Sequence, residues 1–304
     1  MFKAASIFNI SFSGSITASL LQEGAEKSVF VPCGLTQEKS IGWVPPRGHA
    51  NGALVESVGG QLIMQLMIET RTVPPKAIEE AVDLKCAEVE KQSGRKVGKR
   101  ERGDYKEDAR LALLPHAFPS KRSVLVWIDM ANGKLIVDSA TASRTDEVVT
   151  RVVQLVDGLL VALITTNVSP ATLMTNWLLD GDNLGSDDRF GFDIDKSCEL
   201  KATDESKAKV RYTNHNLMCD EVVTHIRQGK GATKLGLTYD GRVSFTLNDT
   251  GTLTGIKFLE VVFETSKDTQ ADAFDANTAI LTGEMTKLIP DLIDAMGGEF
   301  EAEV

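Results

Sequence analysis

The stretch Ser123-Val124-Leu125-Val126-Trp127-Ile128-Asp129-Met130-Ala131-Asn132-Gly133-Lys134-Leu135-Ile136-Val137-Asp138 decides how this chain folds. Asn132-Gly133 is the pair favoured by a tight type I′ hairpin turn, in which both central residues take positive φ. A two-residue turn there pairs Met130 with Leu135 and Ile128 with Val137. Side chains alternate between the faces of a strand, so these four share one face with Val126 and Val124, and that face is expected to be core. The other face carries Trp127, Asp129, Lys134 and Asp138. Antiparallel sheet is therefore the expected frame.

Upstream of the hairpin, residues 1–74 read mainly as strands and loops. The segment 61–72 is apolar and β-rich. The run Gly42-Trp43-Val44-Pro45-Pro46 cannot continue a helix or strand, since two prolines fix φ and remove donors. The character then changes. Pro74-Pro75 opens a helix where missing N–H groups cost little. Ile78, Ala81, Val82, Cys86 and Val89 form its apolar stripe, and Gly94 stops it. Asp104, with Glu107 three residues on, is expected to cap a second helix that ends near Leu114-Pro115. Residues 75–118 are thus predicted to be a helical hairpin inserted between strands.

Downstream, Thr145 is expected to cap a helix with Val148, Val149, Val152, Leu155 and Val156 inward. Ser169-Pro170 starts another, with Leu173 and Trp177 one turn apart. Asp180-Gly181-Asp182-Asn183 ends it, and a second domain is expected to begin nearby. There Asp220 caps a short helix closed by Gly229, and strands follow at 233–239, 242–247 and 252–258. A two-residue Asp240-Gly241 turn would split their apolar residues between both faces. A three-residue loop through Arg242 pairs Tyr239 with Val243, Leu237 with Phe245 and Leu235 with Leu247, which puts them on one face. The opposite face then carries Lys234, Gly236, Thr238, Ser244, Thr246, Gly255 and Lys257, small, polar and basic with no acid. A last helix is expected at 282–296, interrupted by Pro290.

A chain of 304 residues can bury a sizeable core without disulfide or metal staples. No apolar run approaches the roughly 20 residues of a membrane-crossing helix, and residues 1–6 lack a leader's basic start and apolar core, so the expected address is the cytoplasm. Cys33, Cys86, Cys198 and Cys219 show no paired spacing and read as free, partly buried thiols; no metal or other cofactor is expected. Cys33 would be a nucleophile only if a histidine approached it in space, and a small buried hydrophobe is the preferred reading. The net charge of −10 argues against nucleic acid, but what counts is how charge is distributed.

Two cationic surfaces stand out. One is the sheet face with Lys234 and Lys257. The other is the turn of the helical hairpin, 91–102, with Lys91, Arg95, Lys96, Lys99, Arg100 and Arg102 against Glu101. Together they suit a protein that reads the phosphate backbone, and no motif for base reading is present. Gly229-Lys230-Gly231-Ala232-Thr233-Lys234 lacks phosphate-loop spacing and is reasonable only as a phosphodiester contact. Asp129 and Asp138, diagonal on one hairpin face, could hold Mg²⁺ in a nuclease, but a solvated polar face is preferred. The acidic group Asp180, Asp182, Asp187 and Asp188 does not fit a calcium loop.

Several stretches resemble the RdgC family of bacterial recombination-associated proteins. They are Pro32-Cys33-Gly34, Gly42-Trp43-Val44-Pro45-Pro46, Gly94-Arg95-Lys96, Leu113-Leu114-Pro115 with Ala117-Phe118, and Trp127-Ile128-Asp129 with Asn132-Gly133. Thr233-Lys234-Leu235, Phe274-Asp275-Ala276, Leu281-Thr282-Gly283-Glu284 and the run from Leu292 to Glu299 follow in family order. The resemblance implies an α+β fold and a horseshoe-shaped subunit: a central domain from 1–74 with 119–170, a helical tip at 75–118 and a base domain at 171–304. Two subunits would close into a ring around double-stranded DNA, bind it without sequence specificity, associate with the nucleoid and restrain a RecA-type recombinase, with no enzymatic activity. Phe118, flanked by Leu114 and Pro115, would plug a pocket on the partner tip, and the basic sheet face would line the hole. Lys209, Arg211, Lys121 and Arg122 complete the set of candidate DNA contacts. Two other readings stand beside it: a protein that contacts the recombinase and uses DNA little, and the nuclease at Asp129 and Asp138.

Overall fold

The computed structural model describes residues 2–49, 51–181, 189–264 and 273–300. In chain order its first half holds β1 (Ala4–Ser11), α1 (Ala18–Glu26), β2 (Lys39–Val44), β3 (Val55–Val58), β4 (Gln61–Arg71), α2 (Pro75–Ser93), α3 (Lys99–Leu113), β5 (Pro119–Asp129), β6 (Lys134–Val137), α4 (Ala142–Val153) and β7 (Leu160–Leu163). The second half holds α5 (Pro170–Asp180), β8 (Phe192–Ala202), β9 (Lys209–Thr213), α6 (Asp220–Arg227), β10 (Lys230–Tyr239), β11 (Val243–Asn248), β12 (Leu253–Phe258), α7 (Glu260–Glu264) and α8 (Ala273–Ala295). The architecture is α+β, as expected.

The described strands join in one antiparallel sheet of order β2-β4-β5-β6-β1-β12-β11-β10-β8-β9, with β3 beside β4 and β7 beside β1. β1 is the link, since Ala4 and Ala5 pair with Thr254 and Leu253 of β12 while Ser6 to Asn9 pair with β6. The β10–β11 register is the one expected from the three-residue loop, with Leu235 opposite Leu247, Leu237 opposite Phe245 and Tyr239 opposite Val243. Asp240 and Gly241 both take positive φ to make that turn.

The β5–β6 register differs from the expected one. Asp129 pairs with Lys134 and Ile128 with Leu135, so residues 130–133 form a four-residue connection. The cause is the Asp129 carboxylate, which accepts from the N–H groups of Ala131 and Asn132 and from Asn132 Nδ2 at 3.1, 3.3 and 2.8 Å. An aspartate that satisfies the turn's own donors competes with a tighter hairpin. The shift is two residues, so each side chain keeps its expected face.

The expectation that one of those faces is polar fails. Val124, Val126, Ile128, Leu135 and Val137 pack with Leu21 and Ala25 of α1 and Val148 and Val152 of α4. On the opposite face Trp127 and Ile136 are equally buried, in a cluster with Leu281, Met285, Leu288, Ile289, Leu292 and Ile293 of α8. That cluster continues into the inner face of β10–β12 and into α5 and α6. The C-terminal helix therefore covers the face that the hairpin alone would leave to water.

Several helix starts also differ. α1 lies in a region expected to be strand and loop; Thr17 caps it by accepting from the Leu20 N–H at 3.2 Å. α3 begins at Lys99 rather than near Asp104, because Glu101 ties its first turn to Arg95 and Tyr105. α4 is capped at Thr141, not Thr145, and α6 at Cys219, not Asp220. α8 starts at Ala273, well before residue 282, with Pro290 inside it. Ser169 caps α5 and Gly94 closes α2 in the left-handed conformation, both as expected. Asp182, Asp187 and Asp188 lie outside the described residues.

Candidate nucleic-acid interface

β8 to β12 bury one face and expose the other. The apolar partners on β10 and β11 drive this, since Leu235, Leu237, Val243 and Leu247 have no exposed surface. Their neighbours along each strand must then point outward, which places Lys234 and Lys257 in solvent. β8 pairs with β10 and β9 pairs with β8, so one row across the strands reads Arg211, Glu199, Lys234, Asn248. A second row reads Asp193, Thr238, Ser244, Lys257. Lys209 and Lys201 sit opposite each other two residues from the first row.

The face thus differs from the expected one in a specific way, because β8 brings Asp193, Asp195 and Glu199 to it. Thr238 donates to Asp195 at 2.9 Å, and Lys209 lies 3.4 Å from Glu199. Burial alone would raise the Glu199 carboxyl. Hydrogen bonds from Thr233 and Lys209, with the charges of Lys209 and Lys234, bring it below the ordinary range instead. The acid stays ionised between cations. Lys201, which sequence reasoning did not single out, joins the candidates. Its signal was the even-numbered apolar set Phe192, Ile194, Cys198 and Leu200, interrupted only by the exposed Lys196. Gly236 is buried in the outer row, where a Cβ would lie 2.5 Å from Ser197 Oγ and 3.1 Å from Asp195 Cβ.

The cations of the helical arm divide into two groups. Arg95 makes two hydrogen bonds to Glu101 at 2.8 and 3.0 Å, and Arg102 pairs with Asp83 at 2.6 Å. Two donors hold the Glu101 carboxyl down to about 2, first Arg95 and then Tyr105. Lys96, Lys99 and Arg100 are exposed, with no ion pair among the described residues. Lys121 lies 3.4 Å from the buried Glu69 and over the Phe30 ring, so its charge is largely matched within the fold. Arg122 is exposed on the opposite face of β5.

The arm has a small core of its own, formed by Val73, Ile78, Val82, Cys86 and Leu114. Leu114, grouped above with a partner contact, is 1% exposed and belongs to this internal core; Pro115 is half-buried. Phe118 is the opposite case, 94% exposed at the junction of the arm with β5. Arg71 Nη1 donates to the Ala117 carbonyl beside it at 3.1 Å and fixes its base. Between α2 and α3 lies a shallow cleft of about 230 Å³, floored by Ala81, Ala109 and Ala112 and edged by Tyr105.

Asp129 and Asp138 are not brought together. With Asp129 opposite Lys134 and the Asp138 N–H bonded to Leu125, they lie four residues apart along the hairpin, about 13 Å at 3.3 Å per residue. Asp138 Oδ1 accepts from the N–H groups of Lys3 and Ala4 at 2.8 and 2.9 Å, closing the N-terminus onto β6. The four cysteines are free, and three of them are buried. Burial, with Glu69 nearby, raises the Cys33 thiol, the reverse of what a nucleophile needs. Gly229 closes α6, so the glycine-lysine run forms the start of β10 rather than a phosphate loop. No described helix is long and apolar enough to cross a membrane.

These features define an α+β protein built on one long antiparallel sheet, with an open polar face rich in lysine and arginine and a two-helix arm rooted beside an exposed aromatic. The chain belongs to the RdgC family: the family model described as "Putative exonuclease, RdgC" matches residues 1–299. It is 35% identical over 303 residues to the recombination-associated protein RdgC of Janthinobacterium sp. (strain Marseille), covering 99% of both chains. It is 35% identical to that of Herminiimonas arsenicoxydans and 34% identical to that of Dechloromonas aromatica (strain RCB), covering 98% of each chain in both cases. These relatives are named for recombination, and the family model is named for an exonuclease.

Proposed function

We propose that this protein binds double-stranded DNA without sequence specificity as a ring-shaped homodimer, and by occupying the duplex restrains a RecA-type recombinase. The observation that carries the reading is the crowding of Arg211, Lys209, Lys201 and Lys234 on three adjacent strands of one open face, in a chain of net charge −10. Surface charge is usually interspersed, and a local excess of cations on a polar face suits phosphate contact. Ser244 and Thr246 add hydroxyl donors without much side-chain bulk. None of these groups offers a bidentate fork at a helix end that would enter a groove, so the contact is to the backbone.

Closure of the ring rests on Phe118. An aromatic that is 94% exposed, at the root of an arm that has its own core, gains most when a partner buries it. The alanine-floored cleft between α2 and α3 of a second copy is the seat we assign to it. A gel-shift titration on random-sequence duplex at two salt concentrations, with Lys234→Glu/Lys257→Glu alongside, tests the reading. Salt-sensitive binding that the variant loses is expected. Wild-type protein that inhibits the recombinase without shifting duplex DNA would replace this reading with direct recombinase contact.

A further inference from the structure

A second cationic concavity lies away from the face just described. On the even-numbered side of β4 the sequence runs Leu62, Met64, Leu66, Ile68 and then Thr70, Thr72; on β5 it runs back through Ile128, Val126, Val124 and then Arg122, Ser120. The apolar part is the core under α1 and α4. Where it stops, the same face opens into a cleft of about 400 Å³. Lys39, Thr70 and Ser120 line up across β2, β4 and β5, with Arg122 two residues along, and the start of α4 closes the cleft with Ser143, Arg144 and Glu147.

The cleft holds two arginines that the fold does not use in ion pairs. Arg47, Arg95, Arg102, Arg110 and Arg242 each pair with a carboxylate. The Arg122 and Arg144 side chains face one cleft and have no ion pair or hydrogen-bonded partner among the described residues. The one acid of the cleft, Glu147, is held by Lys39. The hydroxyls of Thr70, Ser120 and Ser143 are also unpaired among the described residues. Two guanidinium groups and three free hydroxyls line one cleft whose only apolar side chain is Ile68, a donor set that suits a tetrahedral oxyanion.

We propose that this cleft is a binding site for a phosphate group, with Arg122 and Arg144 as its charged ligands and Glu147 as the group that limits its affinity. The phosphate has two possible carriers, a free nucleotide or the end of a nucleic acid strand. The site does not depend on the β8–β12 face.

The test is calorimetric titration of the full chain at low ionic strength with inorganic phosphate as the probe. Saturable one-site binding is expected, weakened at least about tenfold in Arg122→Gln/Arg144→Gln, as loss of charge-assisted hydrogen bonds implies. Glu147→Gln releases Lys39 and is expected to tighten binding several-fold, a gain that misfolding cannot mimic. Absence of saturable binding, equal binding by the arginine variant, or no gain in Glu147→Gln overturns the proposal. Competition by a nucleoside 5′-monophosphate, against competition by a duplex with and without 5′-phosphates, separates the two carriers. Lys234→Glu/Lys257→Glu is expected to bind phosphate as the wild type does, so failure of the DNA reading leaves this result standing.

Discussion

Arg242 donates from Nε and Nη2 to the two carboxylate oxygens of Glu284 at 2.8 and 2.6 Å, and so ties the β10–β11 turn to α8. Glu284 is 7% exposed, and the hydrogen bonds from Arg242 hold its carboxyl below the ordinary value near 4.5. A carboxyl depressed in the folded state contributes stability above its unfolded pKa, and that stability is lost as pH falls through the folded pKa. Glu284→Gln is expected to be about 1–3 kcal/mol less stable than wild type at pH 7, with the gap closing below about pH 4. Denaturant melts across this range check it; parallel curves for the two proteins would remove the pair from the pH response.

Phe118 and Leu114 are four residues apart and have opposite exposures, so their substitutions separate two functions of the arm. Phe118→Ala is expected to change monomer stability by less than about 0.5 kcal/mol, as exposed sites do. In sedimentation it is expected to weaken self-association by about 2 kcal/mol or more, as loss of an aromatic anchor does. Leu114→Ala removes a side chain from the arm's own core and is expected to cost about 2–5 kcal/mol of stability. A Phe118→Ala dimer as tight as wild type would rule out the aromatic as the closing contact.

The parts of the fold that were legible in sequence are those where one apolar set had one consistent home. β10 and β11 are the clearest, since only one loop length gathers Leu235, Leu237, Phe245 and Leu247 on a face. The β5–β6 register was not legible, because the Asp129 side chain rather than the Asn132-Gly133 backbone sets the turn. The burial of Trp127 and Ile136 depends on α8, more than 130 residues away in the chain, and no local pattern carries that. At the candidate interface Lys234 and Lys257 were found from alternation alone. Lys201 and the acids Asp193, Asp195 and Glu199 were missed because Lys196 stands among the inward positions Phe192, Ile194, Cys198 and Leu200 and interrupts the apolar alternation that marks β8. A single strand so placed changes a uniformly basic face into one where Glu199 sits between cations.

Two helical glycines are expected to respond to alanine with opposite signs. A Cβ on Gly24 of α1 would lie 2.1 Å from the Leu155 carbonyl oxygen, which is backbone and cannot swing aside. Gly24→Ala is therefore expected to destabilise by about 1–3 kcal/mol, more than the helix propensity it gains. Gly283 of α8 has nothing within 4 Å of that position, and Gly283→Ala is expected to stabilise by about 0.5–1 kcal/mol. Thermal melts of the two variants decide it; a stabilised Gly24→Ala would mean that α1 can lift from the turn after α4 without loss. The same crowding explains why α1 is hard to see in sequence, since its glycine is chosen for contact and not for helicity.

The DNA reading predicts a slope as well as an affinity. If Lys234 and Lys257 each neutralise one phosphate, Lys234→Glu/Lys257→Glu lowers the slope of log affinity against log salt by about 1.8, near 0.9 per contact. Both side chains are exposed, so the substitution leaves the fold intact. Glu199→Gln acts in the opposite direction: it removes the anion beside Lys209 and in the row between Arg211 and Lys234, and is expected to raise affinity at low salt more than at high salt. Fluorescence anisotropy on a random-sequence duplex at several salt concentrations measures all three proteins. A lysine variant with the wild-type slope would place the DNA elsewhere on the molecule. A Glu199→Gln protein that binds no better than wild type would show that this acid is already neutralised by its neighbours when DNA arrives.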